Sequence, residues 1–96
     1  MTPEGKVKAL VVKWLKARNI PYWSIIPSPM GGSTGMSDIC CVLPSGRWLA
    51  IEVKAVGKKK NVTPRQQAFI DTINDNNGIA VVVDCADDLV ALEKIL

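Results

Sequence analysis

Glu52, Val53 and Lys54 close an apolar run, Trp48-Leu49-Ala50-Ile51, that reads as a buried β-strand. Along a strand, residues i and i+2 share a face roughly 7 Å apart at about 3.3 Å rise per residue, so Glu52 and Lys54 project together while Val53 points away. Apolar strands do not usually end with a carboxylate and an ammonium on one face. A second acid, Asp38, lies in an earlier run of strand character. Two carboxylates converging from neighbouring strands can hold a hard divalent cation, and an adjacent lysine can supply positive charge or a perturbed amine to a phosphate at that metal. The chain contains no histidine, which excludes Ser-His and Cys-His nucleophile pairs, histidine general bases and histidine-ligated zinc. Its chemistry must come from carboxylates, lysine and a metal.

The elements that position these residues follow from caps, turns and periodicity. Thr2-Pro3-Glu4 supplies a capping hydroxyl, a proline tolerated in the first turn and an acid at the positive end of the dipole, so a helix is predicted to about Arg18. Val7, Leu10, Val11, Trp14 and Leu15 form its apolar stripe, with Lys6, Lys8, Lys13 and Lys16 largely off it. Continued one turn backward, the stripe reaches Glu4, placing a carboxylate at the edge of the buried face; a first-turn Glu also serves commonly as a dipole partner. Asn19 and Pro21 end the helix, and Tyr22 to Ile26 reads as a first strand. The segment from Pro27 to Gly35 is too rich in Gly, Pro and Ser for regular structure and is predicted to be a flexible loop. Met36 to Leu43 and Arg47 to Lys54 read as an antiparallel hairpin closed by Pro44-Ser45-Gly46. Asp38 and Glu52 are nearly equidistant from that turn, hence opposite or diagonal to each other. Like charges so close cost stability unless a cation or proton intervenes. The alternative leaves Asp38 in solvent and pairs Glu52 with Lys54 or Arg47.

After a polar, basic connector from Ala55 to Asn61, Thr63-Pro64 restarts a helix whose stripe is Ala68, Phe69 and Ile73, with Gln66 able to face inward. Asn76-Asn77-Gly78 stops it. Ile79 to Val83 is a continuous apolar strand of the kind buried on both faces, and Asp84 or Asp87 opens a last amphipathic helix to Leu96. The order α-β-β-β-α-β-α, with a parallel crossover between residues 47 and 83, implies an α/β fold with a mixed sheet flanked by helices.

Composition bounds the rest. At 96 residues and 48% hydrophobic content the chain suits a single domain, residues 1–96, with a small core that a partner subunit often completes. Twelve basic against nine acidic residues give a net charge of +3, which permits nucleic-acid binding without requiring it. Cys40, Cys41 and Cys85 fit neither a zinc spacing nor an even disulfide set and read as small buried residues in a reducing compartment. No apolar stretch approaches the ~18 residues of a membrane span, and the N-terminus lacks a signal-peptide core, so a soluble, cytoplasmic protein is expected.

Asp38, the Glu52-x-Lys54 strand end, Gln66 on the following helix and Glu4 on the first resemble the PD-(D/E)XK nuclease superfamily, and more narrowly the VRR-NUC family. The segments that carry the resemblance are Gly35-Met36-Ser37-Asp38-Ile39 after a Gly-rich loop, Ile51-Glu52-Val53-Lys54, and Val62-Thr63-Pro64-Arg65-Gln66 with Phe69 three residues on, spread over nearly the whole chain. Ser37 departs from the pattern, standing where a proline often precedes the aspartate. The resemblance implies a restriction-endonuclease-like fold and a Mg²⁺ or Mn²⁺ ion held by Asp38, Glu52, the Val53 carbonyl and Glu4. Lys54 would orient water or stabilise developing negative charge, and Gln66 would position Lys54 or the water; otherwise Gln66 is an exposed helix-start glutamine.

Lys58, Lys59, Lys60 and Arg65 would then neutralise DNA phosphates, although a lysine run is also commonly a solvated loop. Ser33 and Gly35, in the Gly-rich segment, would approach the nucleic-acid backbone. No base-reading helix and no aromatic stacking platform is legible, which favours recognition by shape. Stand-alone members of the family look like homodimers similar to Holliday junction resolvases, implying a homodimer on branched or junction DNA. The implied activity is metal-dependent, structure-selective DNA cleavage. The alternative is a non-catalytic junction-binding or accessory subunit with a vestigial site, against which Glu4, Asp38, Glu52 and Lys54 all keep competent side chains.

Overall fold

The computed structural model describes residues 1–25 and 35–96. Ser33, most of the Gly- and Pro-rich segment and the predicted end of the first strand lie outside the described residues. Among the described residues the elements are α1 (Pro3–Ala17), β1 (Tyr22–Ser24), β2 (Ile39–Val42), β3 (Trp48–Val53), α2 (Pro64–Asp75), β4 (Ile79–Val83) and α3 (Ala86–Lys94), in the predicted order.

α1 begins where Thr2 Oγ1 accepts the Gly5 N–H at 3.0 Å, with Pro3 in the first turn. It ends at Ala17 with Arg18 as its cap, and Asn19 then takes φ of 55°, a left-handed conformation Asn tolerates better than most residues, while the Ile20 N–H returns to the Leu15 carbonyl at 3.1 Å. The fully packed stripe is Val7, Val11 and Leu15; Leu10 lies at its exposed edge and Trp14 is half-buried beneath the Arg18 guanidinium. The stripe is narrower than its apolar residues suggest because α1 shares its face of the sheet with α3.

The sheet order is β1-β2-β3-β4, antiparallel across the first two junctions and parallel across the third. Side-chain alternation splits its packing between two faces. Leu49, Ile51 and Val53 join Ile39, Cys41, Ile79 and Val83 against α1 and α3, where Leu89 and Leu92 complete the main core. On the other face Ala50 and Ala80 let α2 settle closely through Ile70, with Phe69 and Ile73 beside it. Ile70, rather than the predicted Ala68, is the buried centre of the α2 stripe; Ala68 is exposed. Each fully buried Val, Leu or Ile contributes about 1.5–3 kcal/mol. Cys40 and Cys41 are buried and Cys85 is partly so.

Two departures are local. β1 closes at Ser24 and β2 opens at Ile39, inside the predicted runs, although the Ile25 N–H still donates to the Asp38 carbonyl at 2.8 Å. α3 is opened by Cys85, with no side-chain cap; Asp88 reaches back instead to accept the Asp84 N–H at 3.0 Å. No helix among the described residues is long and apolar enough to cross a membrane.

β4 forms one edge of the sheet, and Asn74 from α2 occupies part of that edge: its Oδ1 accepts the Ala80 N–H at 2.8 Å and its Nδ2 donates to the Ala80 carbonyl at 3.3 Å. A side-chain amide thus takes the place of a neighbouring strand. Asn74→Ala is expected to lower the free energy of unfolding in urea by about 1–2 kcal/mol, two lost hydrogen bonds' worth. An unchanged midpoint would show that water replaces the amide without cost.

Candidate active site

Cys40 pairs with Ala50 and Ile39 with Ile51, and one step beyond that end of the ladder stand Asp38 and Glu52. Asp38 is fixed by the backbone it faces, its Oδ2 accepting the Val53 N–H at 2.8 Å. Gly35, three residues earlier, is buried with φ of +70°, and a Cβ there would lie 2.5 Å from Arg65 Cγ and 2.7 Å from the Arg65 carbonyl oxygen. Only glycine allows the chain leading to Asp38 to press this closely against the first turn of α2.

That first turn supplies the next group. Thr63 and Gln66 form a capping box: the Gln66 N–H donates to Thr63 Oγ1 at 3.1 Å, and Gln66 Oε1 accepts the Thr63 N–H at 3.0 Å. The same Oε1 accepts from Lys54 Nζ at 3.1 Å, while Gln66 Nε2 donates to Glu52 Oε2 at 3.3 Å. The cap therefore sets which end of the amide faces the lysine and which the carboxylate. Gln66 is legible from sequence as an inward helix-start residue; its second identity as the capping-box residue is signalled by Thr63-x-x-Gln66.

Glu52 is 2% exposed, and its Oε1 is buried with no hydrogen-bond partner among the described residues. Its other oxygen lies 3.8 Å from Lys54 Nζ, so the alternative ion pair exists but is loose and leaves Oε1 unserved. Burial, then the hydrogen-bonding and charge of Asp38, and then the more distant charge of Glu4, push the Glu52 carboxyl up to about 8 against the opposing pull of Lys54. Glu4 itself is exposed in the first turn of α1. A buried, donorless carboxylate oxygen beside a second carboxylate is costly as an anion and suits a proton or a hard, oxygen-liking cation. Asp38 and Glu52 offer the oxygen donors that Mg²⁺ or Mn²⁺ takes; Glu4, exposed on α1, is not gathered into a three-ligand group with them among the described residues. Val53, the fourth expected ligand, sits between Glu52 and Lys54, its N–H committed to Asp38.

The basic residues separate. Lys58 and Lys60 are exposed on the connector, and Arg65 is exposed on the first turn of α2. Lys59 turns away to another acidic group. Its ammonium pairs with Asp88 and lies 3.9 Å from Asp84, and its N–H donates to Asp84 Oδ2 at 3.2 Å. Asp84, Cys85 and Asp88 bring ligand atoms within 4.8 Å of one another, a cluster the sequence reading did not single out. Burial raises the Asp88 carboxyl, but the Lys59 ammonium and the Asp84 N–H outweigh it and leave it lowered. Here the neutralising cation is already a lysine. Ser37, next to Asp38, is buried, its hydroxyl without a partner among the described residues.

The model of the VRR-NUC domain family matches residues 4–87, a span from Glu4 through Gln66 and beyond β4. No curated protein and no solved structure matches the chain.

The raised Glu52 carboxyl predicts a pH dependence. Its folded value lies above the ordinary 4.5, so the native state holds a proton that the unfolded chain releases, and this contribution to stability is lost as pH rises from about 4.5 towards about 8. In urea unfolding with a chelator present, stability should fall between pH 5.5 and 8, Mg²⁺ should restore it, and Glu52→Gln should flatten the slope. Equal slopes in the two proteins would contradict this assignment.

Proposed function

The chain belongs to the VRR-NUC family of PD-(D/E)XK-type nuclease domains, its fold is restriction-endonuclease-like, and from that premise we propose that it is a metal-dependent endonuclease that hydrolyses phosphodiester bonds in branched or junction DNA, acting inside the cell as a homodimer. The observation that carries this reading is Glu52 Oε1, buried beside Asp38 and without a hydrogen-bond partner among the described residues, with Lys54 held at the same place by Gln66. A site of that composition has no use for a hydrophobic ligand and suits a cation and a phosphate.

Asp38, Glu52 and Glu4, with the Val53 carbonyl, would hold Mg²⁺ or Mn²⁺. Bound there, the ion would polarise the scissile phosphate and acidify the attacking water. Lys54 is largely shielded from solvent and fixed by Gln66 Oε1 at 3.1 Å, so its ammonium meets the phosphate pre-oriented. Its remaining N–H groups donate to a non-bridging oxygen or to the attacking water, stabilising negative charge as the P–O bond to the leaving group breaks. Gln66 acts through Lys54 and Glu52 as a positioning residue. Lys58, Lys60 and Arg65 lie exposed on the connector and helix start that follow the strand, where they can neutralise backbone phosphates. Lys59 instead ties the connector to α3. Two copies related by a two-fold axis would present two such sites to the two strands of a junction.

Labelled four-way, flap and linear duplex DNA, incubated with Mg²⁺, Mn²⁺ or EDTA, tests the proposal. Branched substrates should be cut in metal and spared in EDTA, and Lys54→Ala should slow cleavage by about 100-fold or more. Cleavage that persists in EDTA, or that Lys54→Ala leaves unchanged, contradicts the mechanism. Binding without cleavage in either metal indicates the accessory, non-catalytic protein.

A further inference from the structure

Strand register decides which side chains share a face. Trp23 pairs with Cys40, Cys40 with Ala50 and Ala50 with Ala80, and Val42 pairs with Trp48. Paired residues and every second residue along a strand project to the same side. Trp23, Val42 and Trp48 therefore stand on the face that carries α2, together with Asp38 and Glu52. α2 covers that face over Ala50 and Ala80. Over β1, β2 and the start of β3 no element among the described residues covers the face: Trp23 is 58% exposed, Trp48 43% and Val42 39%. Cys40 lies buried among them, its thiol beside the Trp48 indole.

The strip is continuous with the acidic site. Trp23 stands beside Cys40, two residues from Asp38, and Trp48 is four residues from Glu52, spans of roughly 7 and 13 Å at about 3.3 Å per residue. Past Trp48 it runs into a cavity of about 480 Å³ lined by Arg47, Trp48, Ile73, Asn76 and Asn77, with Arg47 Nε anchored on the Asn77 carbonyl at 2.7 Å. Flat indoles leading from a phosphate-handling site to a pocket with a guanidinium and amide walls suit unpaired nucleotides, whose bases offer apolar faces and polar edges. Intact duplex keeps its bases stacked on one another and has no use for such a surface.

We propose that this open half of the sheet face is a stacking platform for unpaired nucleotides next to the scissile phosphate, with Trp23 and Trp48 as the stacking residues and the Arg47 cavity receiving the last base. The proposal rests on the nuclease reading of the adjoining site and gives its preference for branched DNA a physical source: the unpaired bases at a flap or an open branch point.

Fluorescence titration of the full chain in EDTA, where no cleavage intervenes, tests it. Trp14, on the opposite face beneath Arg18, is first replaced by Phe so that the signal comes from Trp23 and Trp48. Oligothymidylate of about 12 nucleotides should quench that signal and bind about tenfold more tightly than blunt duplex of the same length. Trp23→Ala and Trp48→Ala should each weaken single-strand binding by about tenfold and leave duplex binding unchanged, and Trp→Phe at either position should retain most of it. Unchanged single-strand affinity in the alanine variants, with circular dichroism showing them folded, overturns the proposal. So does conversion of a dimer to monomers by the same replacements at constant single-strand affinity, which would assign the face to a second copy of the chain. Because the titration needs no metal, failure of Mg²⁺-dependent cleavage would refute the nuclease reading while leaving this measurement to decide the platform.

Discussion

A carboxylate oxygen with no donor, buried against a second carboxylate, is a configuration that proteins avoid, because an unpaired anion out of water costs several kcal/mol. Among the described residues, Glu52 Oε1 occupies it at the end of the central strand β3. Asp38 cannot swing away to relieve the repulsion, since the Val53 N–H holds it at 2.8 Å. Gln66 cannot turn to serve both Glu52 oxygens, since its own carbonyl end is taken by Thr63 and Lys54. The neighbours thus hold the repulsion in place. Among the described residues nothing else relieves it, so the site suits a proton or a cation, and burial beside Asp38 raises the Glu52 carboxyl to about 8 accordingly.

The architecture explains how such a site persists. β3 is flanked by β2 and β4, and its Leu49, Ile51 and Val53 are wholly buried in the main core. At about 1.5–3 kcal/mol each, a few such side chains offset one strained carboxylate. The site is built at the strand end, where the ladder stops and α2 begins, so Asp38, Lys54 and Gln66 can converge there without interrupting the core. Gly35 matters for the same reason, as any side chain there would wedge the approach to Asp38 away from α2. The Asp84, Cys85 and Asp88 cluster makes the contrast: its ligand atoms lie within 4.8 Å of one another, but Lys59 is placed among them.

Much of this was legible in the sequence because it depends on local rules. Thr-Pro starts, the Pro44-Ser45-Gly46 turn and strand periodicity give the element order, and equal spacing from one turn brings Asp38 opposite Glu52. The illegible parts depend on distances across the chain. Trp23 and Trp48 share a face only through the register of β1 on β2, which no local signal sets because the two strands are joined by a long Gly- and Pro-rich segment; the sequence accordingly shows no aromatic platform. Lys59 reads as one of three equivalent lysines until α3 places Asp88 beside it. Ile70 replaces Ala68 at the centre of the α2 stripe because small alanines on β3 and β4 draw the helix in at that point. Gln66 was visible as an inward residue, but not as the side chain that joins a helix cap to the acidic site.

The central claim is that Asp38 and Glu52 share a divalent cation. Titration of Mn²⁺ into the full chain, with free Mn²⁺ followed by electron paramagnetic resonance near neutral pH, measures this directly. Binding should weaken by about tenfold or more in both Asp38→Asn and Glu52→Gln and persist when Asp84 and Asp88 are changed to Asn. Binding that survives the first two replacements, or that is lost only with Asp84 and Asp88, would contradict the account.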